Sequence, residues 1–440
     1  AAGLLALLSL ASCTDEFIEG NDLQGVDRDK RVEVRLPFGV GRGITTTITT
    51  RAAGGEIDYD SQLSGVMAFV YEAKSDNPEE NELLAYHLFS NPSNKPLEGA
   101  TGGWIADNDD PTCGEIKFYV PVGDVYIYLL GNAQSSFLNF FPGVSGGDAL
   151  GTQAEFFEKA TPKWNGNIHS VDGYLPLTGM VNNNTGLCHV NEQGQISYTD
   201  EEGKTHTLLP DGKHDEDNSC VLKRLMSKIT MNIREGKGVK FTARDYTVRH
   251  IPHYVSPTAQ AWTEEERDRI LVEDAKPVNF GLLDSLTFTI YLPENIRKVR
   301  SGVEITEYRQ RDKVVKTADN KNTEETAPDD FHADNADNHK GHYKFEFAPK
   351  ASTYIELTGW FENADKTVAA DVRYYIHLGN FGKDLNHFSV ERDHHYTYNV
   401  TINGVDDIVV EVEDENEKTP GAEGVVFKHE AFAHIDAHFD

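Results

Sequence analysis

The stretch RVEVRLPFGV, residues 31–40, decides the fold class of this chain. Its apolar side chains all fall at even positions, which are Val32, Val34, Leu36, Phe38 and Val40. Apolar residues at every second position are typical of a β-strand with one buried face. Pro37 cannot donate a hydrogen bond to a neighbouring strand, so we expect this first strand to lie at a sheet edge.

Similar strand patterns recur along the whole chain, and helix signals are few. Predicted strands in the first half are VMAFVYEA (66–73), ELLAYHLF (82–89) and EIKFYVPVGDVYIYLLGN (115–132), the last as a hairpin about Gly123 and Asp124. In the second half they are VLKRLMSKITMNI (221–233), LTFTIYLPENI (286–296), HYKFEF (342–347), STYIELTGWF (352–361), VRYYIHLGN (372–380) and HHYTYNVTI (394–402). Thr152 is placed to cap a short helix through residues 153–160, and residues 256–270 form a second helix candidate. We therefore predict a mainly all-β protein.

Length and charge bound the organisation and the partners. A chain of 440 residues exceeds what one hydrophobic core usually organises, so we expect two domains. With 41 basic and 72 acidic residues, its formal charge of -31 repels the phosphate backbone of nucleic acids. The composition therefore argues against a nucleic-acid partner.

The N-terminus predicts export and lipid anchoring. Residues 1–12, AAGLLALLSLAS, resemble the apolar part of a secretory signal peptide, and residues 10–13 resemble a lipobox ending in Cys13. We predict a partial lipoprotein signal peptide over residues 1–13, with lipidation at Cys13. The alternative is an ordinary truncated signal peptide that contains a cysteine. The acidic start after Cys13 resembles the export tag of surface lipoproteins.

Composition shifts divide the rest of the chain. Residues 14–30 are polar and predict a tether, followed by an N-terminal domain over residues 31–219. A polar stretch from 190 to 219 marks the boundary to a C-terminal domain over residues 220–413. Residues 414–440 are a terminal strand or the start of a further region. The polar residues between Asp312 and His342 predict a mobile surface loop.

Candidate chemistry is sparse. Cys113, Cys188 and Cys220 are widely spaced, which allows at most one internal disulfide and disfavours a zinc site. A metal site at His434, Asp436, His438 and Asp440 competes with a solvated strand face, which we favour. The sequence contains no motif for a nucleophile elbow, phosphate loop or zinc helix, so we predict no enzyme, no metal and no cofactor. Trp104, Trp164, Trp262 and Trp360 are read as core residues rather than sugar platforms.

Several segments in order resemble the fimbrillin superfamily of Bacteroidetes pilus proteins. They are ITTTITTRAAGG (44–55), GDVYIYLLGN (123–132), LPLTG (175–179), VLKRLMSKITMNI (221–233) with Arg224 and Lys228, YLPENI (291–296), STYIEL (352–357) and VERDHHYTYNVTINGVDDIVVEVE (390–413). The last block is the most distinctive and resembles accessory subunits more than stem subunits. The end of the chain departs from the stem pattern because it lacks a strand carrying a Trp.

The resemblance implies two transthyretin-like Greek-key β-sandwich domains with few short helices. It also implies an outer-membrane lipoprotein held by lipid on Cys13, exposed at the cell surface in a pilus and active in adhesion. Cleavage between Arg51 and Ala52 would remove the first strand, residues 31–51, and a strand from another pilus subunit would fill the groove by donor-strand exchange. The stem, anchor or tip role stays open. The alternative is a non-polymerising surface lipoprotein that binds a glycan or host protein and keeps Arg51 intact.

Overall fold

The chain is described from a computed structural model that covers most of both predicted domains. The described residues are 27–41, 62–93, 97, 100, 102–107, 112–133, 138–139, 150–159, 163–169, 174–183, 185–210, 218–257, 271–282, 286–299, 302–317, 331–332, 342–382, 384–405, 407–414, 429–431 and 433–434. The predicted sites at Cys13, Arg51 and Ala52 lie outside these residues, as do Trp262 and most of the second helix candidate.

Strands dominate the first half of the molecule, as the sequence predicted. They are β1 (Asp27–Val40), β2 (Gly65–Glu72), β3 (Leu83–Ser90), β4 (Trp104–Ala106), β5 (Cys113–Gly131), β6 (Leu138–Asn139), β7 (Lys163–Trp164), β8 (Leu177–Met180), β9 (Leu187–Val190), β10 (Ile196–Thr199), β11 (Thr205–Thr207) and β12 (Cys220–Arg224). The helices are α1 (Gln153–Lys159) and 3-10 turns at Pro78–Glu80 and Val181–Asn183. Thr152 caps α1 as predicted, because its Oγ1 accepts a hydrogen bond from Glu155 N at 3.2 Å.

The second half is also built of strands. They are β13 (Met226–Glu235), β14 (Val239–Arg249), β15 (Ile251–Pro252), β16 (Val272–Glu273), β17 (Val278–Asn279), β18 (Thr287–Pro293), β19 (Val314–Thr317), β20 (Phe331–His332), β21 (His342–Phe345), β22 (Tyr354–Asn363), β23 (Ala369–His377), β24 (His395–Ile402), β25 (Ile408–Asp414), β26 (His429–Ala431) and β27 (Ala433–His434). Two 3-10 turns lie at Phe280–Leu282 and Tyr308–Gln310. The all-β prediction is confirmed.

β5 is the central strand of the N-terminal sheet, whose main order is β1-β12-β8-β5-β9-β10-β11. β2 and β4 also pair with β5, and β3 pairs with β2. The predicted hairpin about Gly123 and Asp124 is wrong, since residues 113–131 form one continuous strand. Its first half pairs with β1 and its second half with β2. Gly123 has φ +131°, a conformation that favours glycine, so the strand changes direction there without folding back.

The two halves meet at Leu225. The predicted strand 221–233 is two strands, because β12 pairs with β1 and β8 whereas β13 pairs with β18 and β24. The change from N-terminal to C-terminal sheet therefore falls a few residues after the predicted boundary at residue 220. The C-terminal half holds two five-stranded sheets, with orders β18-β13-β24-β25-β26 and β17-β14-β22-β23-β27.

Two apolar clusters fill the interior. The first cluster joins two regions. One is the face of the N-terminal sheet that carries Phe69 and Tyr128, and the other is the core between the two C-terminal sheets, which includes Ile229 and Tyr398. The second belongs to the N-terminal half and contains the inward side chains of β1. Within the described residues, no helix is long and apolar enough to span a membrane.

Two sequence expectations need correction at the ends of segments. The tether predicted over residues 14–30 ends earlier, because β1 begins at Asp27, and residues 14–26 lie outside the described part. The polar loop predicted from Asp312 also begins later, since the Asp312 side chain is buried and its Oδ1 accepts a hydrogen bond from His377 N at 2.9 Å. Burial of this carboxylate is offset by the histidine, which sequence polarity alone does not reveal.

Candidate functional site: the strand seat

The first strand lies in a depression that we call the strand seat. It is formed by β5 along one edge of β1, by β12 at the far end of the other edge, and by the β9–β10 turn, residues 191–195. The apolar cluster of the N-terminal half lies beneath it.

The inward side of β1 is an apolar stripe. Val34, Leu36 and Phe38 are each 0% exposed and belong to the N-terminal cluster. The ring of Phe38 also meets Trp104 edge to face, with 4.9 Å between the ring centroids. Burying each such side chain is worth about 1.5–3 kcal/mol, so the stripe supplies most of the attraction between strand and seat. The alternation read from the sequence is confirmed.

The backbone of β1 is held unequally along its two edges. Pairing with β5 runs antiparallel from Arg31 to Gly39, whereas in the described part of the chain the parallel pairing with β12 covers Phe38 to Val40. Val40 N donates to Thr112 O on the β5 side, and Gly41 N donates to Leu222 O on the β12 side. Alternate residues point to opposite edges, so the Pro37 nitrogen faces the β12 edge just before β12 begins. The prediction that β1 lies at a sheet edge holds up to Pro37. It is wrong for the last three residues of the strand, which pair with β12.

The β9–β10 turn covers part of this otherwise short edge. By the same alternation, the Glu33 carbonyl points to the β12 edge, where Gly194 lies against it. A Cβ on Gly194 would stand 2.1 Å from Glu33 O, and the backbone of Gly194 has φ +76°. Lys30 Nζ and Glu192 Oε1 form an exposed ion pair at 2.5 Å beside this contact. The turn thus lies close against the strand backbone, and only glycine fits at residue 194.

Polar contacts on the outer face tie β1 to β5. Arg35 Nη2 lies 2.5 Å from Glu115 Oε2, and the Glu115 side chain is only 5% exposed. Removing either partner would leave the other charge shielded from water and unpaired, which is more costly than losing an exposed ion pair.

The far end of the seat contains a buried ion pair. Arg224 Nη1 donates to Gly41 O at 2.9 Å and to Asp393 Oδ1 at 2.7 Å. Arg224 is 1% exposed, and Asp393 comes from the segment that leads into β24. Burial raises the pKa of Asp393, and the Arg224 guanidinium opposes that rise. One arginine thus joins the first strand to the C-terminal half.

Asn132, the last residue of the segment GDVYIYLLGN (123–132), has a role that the sequence did not reveal. It is buried with φ +54°, a conformation that Asn tolerates better than most residues. Its Oδ1 accepts hydrogen bonds from Ser64 N and Oγ, and its Nδ2 donates to Gln62 O and Leu175 O. It fixes the start of β2 and the approach to β8 around the end of β5. The sequence signal for this role was the position of Asn132 at the end of a segment that resembles a fimbrillin motif.

The cysteines surround the seat rather than forming a separate centre. Cys220 is the register partner of Phe38, Cys113 is that of Gly39, and Cys188 lies in the same apolar cluster as Phe38. All three are buried thiols. Burial raises the pKa values of Cys188 and Cys220, so these thiols are unreactive while β1 is in place.

The other candidate residues of the sequence do not converge. Among the described residues, no group of His, Cys, Asp or Glu is arranged to hold a metal ion. His434 lies in β27, whereas Asp436, His438 and Asp440 are outside the described residues. Trp164 is a core residue at 2% exposure, Trp104 packs on Phe38, and Trp360 is 41% exposed, so the core prediction is wrong for Trp360.

Comparison with known proteins gives one family model and a set of solved structures. A domain of unknown function, DUF4906, matches residues 290–400, which run from β18 into β24. No curated protein matches the sequence.

The solved structures are similar along most of the chain but at low identity. The tip fimbrial protein Mfa3 from Porphyromonas gingivalis, with a C-terminal truncation, is 14% identical with a TM-score of 0.43, over 87% of this chain and 99% of that one. A Parabacteroides distasonis protein whose description proposes cell adhesion is 8% identical with a TM-score of 0.45, over 92% and 99%. The fimbrial anchor protein Mfa2 from Porphyromonas gingivalis is 8% identical with a TM-score of 0.30, over 87% and 97%. Likenesses this distant assign no activity. The three structures named here are described as fimbrial or cell-adhesion proteins.

Proposed function

We propose that this chain is a fimbrillin-like surface subunit whose first strand is a removable plug in the strand seat. The proposal depends on a contrast within β1. Its apolar stripe is fully buried, whereas among the described residues its second edge has a strand partner only from Phe38 to Val40. Removal of β1 would uncover an apolar trough and leave the edge of β5 unpaired. An extended strand from another pilus subunit would restore both.

Processing after Arg51 is the proposed trigger. Arg51 follows Gly41 by ten residues in the sequence, so a cut there would turn β1 into a separate peptide held only by noncovalent contacts. Lipid on Cys13 would hold the precursor at the outer membrane until that cut. In this scheme the protein is a structural or accessory pilus subunit, the tip included, at the cell surface.

The test treats exported precursor with an Arg-specific protease. We expect a new N-terminus at Ala52, faster maleimide labelling of Cys220 and detergent-resistant oligomers. Arg51→Gln should abolish all three changes. Cleavage at Ala52 that leaves the product monomeric, even with fresh precursor added, would reject strand exchange.

Lipid anchoring has its own test. Cells fed an alkyne fatty acid should label the wild-type protein, and Cys13→Ser should lose both the label and the membrane association. Labelling that persists in Cys13→Ser would place the lipid on another residue.

A second candidate function is a stand-alone surface protein that binds a glycan or host protein with β1 in place. The observation favouring it is Trp360, which is 41% exposed on β22 between its register partners Thr242 and Asp371. Exposed indole rings stack against sugar faces. A glycan array with wild type and Trp360→Ala tests it, with Tyr119→Ala as the control because Tyr119 is an exposed aromatic residue on β5. Binding that survives Trp360→Ala would reject this surface as the binding site.

A further inference from the structure

The strand seat has a closed end. We infer that Arg224 and Asp393 form an end stop that binds the backbone carbonyl at the end of the strand and requires glycine at the position of Gly41. The inference rests on the proposed function, because it specifies which strand of a second pilus subunit the vacated seat accepts.

The first support is the way in which the parallel ladder ends. In a regular parallel pair, a residue donates to one residue of its neighbour and accepts from the residue two positions further on. Gly41 N donates to Leu222 O at 2.8 Å, so Arg224 N should donate to Gly41 O. Instead, Arg224 N donates to Asp393 Oδ1 at 3.3 Å, and the Arg224 side chain binds Gly41 O. The carboxylate therefore ends the ladder at this point.

The second support is that both members of the end stop are fixed. Asp393 has φ +60°, and its backbone N donates to Met226 O at 3.1 Å. Arg224 is almost fully buried, so water cannot easily replace the carbonyl of Gly41 as an acceptor. An occupant that places no carbonyl there leaves part of a buried charge unsatisfied.

The end stop complements the apolar stripe. A strand that slips by one residue turns its apolar side chains to the wrong face, which the seat beneath Val34, Leu36 and Phe38 rejects. A slip of two residues keeps the correct face inward and brings Gly39 or Gly43 to the position of Gly41, so the end stop does not oppose it. The apolar stripe opposes it instead, because Phe38 then leaves its place against the Trp104 ring. The stripe thus sets the register, and the end stop selects the residue at the end of the strand.

The third support is the space around Gly41. A Cβ on this residue would lie 3.2 Å from Asp393 Oδ2 and 3.2 Å from Val221 Cγ1. Alanine would require a small movement of a carboxylate that Arg224 holds, and a β-branched residue would require more. The occupant we propose carries three inward apolar residues at alternate positions, followed by glycine three residues after the last of them, as in Val34, Leu36, Phe38 and Gly41.

The test uses full-length protein cut at Arg51 and fluorescent peptides of residues 30–43, whose entry into the seat is followed by fluorescence anisotropy. Relative to the parent peptide, we expect Gly41→Ala to bind several-fold more weakly and Gly41→Val at least about tenfold more weakly, as overpacking of a tight site predicts. Glu33→Ala is the control peptide, because the Glu33 side chain is exposed. Protein carrying Val221→Ala should accept the Gly41→Ala peptide better than wild type does, without any change of charge.

The outcomes separate the two proposals. Equal binding of the Gly41→Val, Glu33→Ala and parent peptides would overturn the end stop and leave strand exchange standing. Failure of every peptide to enter the seat would overturn strand exchange and the end stop together. Weak binding of Gly41→Ala that Val221→Ala relieves would support the steric part of the end stop directly.

Discussion

β1 and β24 carry the same side-chain pattern but differ in how their backbones are held. The inward residues of β24 are fully buried like those of β1, and they are Tyr396, Tyr398, Val400 and Ile402. β24 pairs with β13 over residues 395–402 and with β25 over residues 396–402, so both of its edges are laddered along nearly its whole length. Within the residues that the structure describes, β1 has a strand partner on both edges only from Phe38 to Gly39.

If β1 is replaceable as we propose, apolar burial alone does not distinguish a permanent strand from a replaceable one, and the pairing of the two edges does. Removing β24 would break two ladders and split the sheet β18-β13-β24-β25-β26. Removing β1 would break one ladder, a short parallel pairing and the contact with the β9–β10 turn. In the proposed exchange, the side chains of β1 would supply the affinity, and the edge with the shorter ladder would supply the route.

The largest expected effect comes from truncating each stripe. Phe38→Ala and Tyr398→Ala should each cost about 3–5 kcal/mol, because both remove a fully buried ring. For Phe38→Ala we expect the cost to appear as local release of β1, measured as faster maleimide labelling of Cys220 below the unfolding transition. For Tyr398→Ala we expect a lower free energy of unfolding of the C-terminal half, measured by denaturant titration.

Phe38→Ala and Tyr398→Ala each remove one buried aromatic ring, so each variant controls for the loss of side-chain volume in the other. If Tyr398→Ala accelerated Cys220 labelling below the unfolding transition as much as Phe38→Ala does, the two strands would be equally replaceable. The comparison between β1 and β24 would then be wrong.

Acid should weaken the half of the molecule that contains β24. Burial lowers the pKa of His250 from 6.5 to about 4, although the Asp274 carboxylate opposes this shift. Between these pH values the unfolded chain binds more protons than the folded one, so stability falls as pH falls from 6.5 to 4. A shift of this size corresponds to at most about 3 kcal/mol. Burial also lowers the pKa of His377, which acts in the same direction.

His250→Asn tests this origin of acid sensitivity. Asn tolerates the φ of +59° at this position and removes the titrating ring. Denaturant titrations at pH 7 and pH 4.5 should show a smaller loss of stability for the variant than for wild type. An equal loss in both proteins would assign the acid response to other groups.

The sequence predicted the strands well and their connections poorly. Alternation identified β1 and the C-terminal strands, because a half-buried strand must alternate whatever its partners are. It could not show that residues 113–131 stay one strand, since Gly123 and Asp124 have turn chemistry that pairing with β1 and β2 overrides. The sequence motif includes Arg224 but does not predict its partner. Arg224 binds Asp393, which is 169 positions away, and no local pattern encodes that contact.

A smaller effect is expected at the β9–β10 turn. Gly194→Ala should cost about 1–3 kcal/mol through its φ of +76°, and its Cβ would also collide with Glu33 O. Gly203→Ala is the matched control, because Gly203 has φ +81° in the next turn and a Cβ there meets no atom within 4 Å. We expect only Gly194→Ala to accelerate Cys220 labelling. Equal labelling in the two variants would show that the turn does not retain β1.

The smallest effect is expected at the charged start of β1. Lys30 and Glu192 form an ion pair whose side chains are 46% and 63% exposed, so water and salt screen the attraction. Lys30→Ala should change Cys220 labelling by less than about twofold, and added salt should remove even that difference. An effect of Lys30→Ala as large as that of Gly194→Ala would mean that charge, rather than close backbone contact, holds this end of the strand. Added salt would then release the start of β1, while the apolar stripe would still hold its far end.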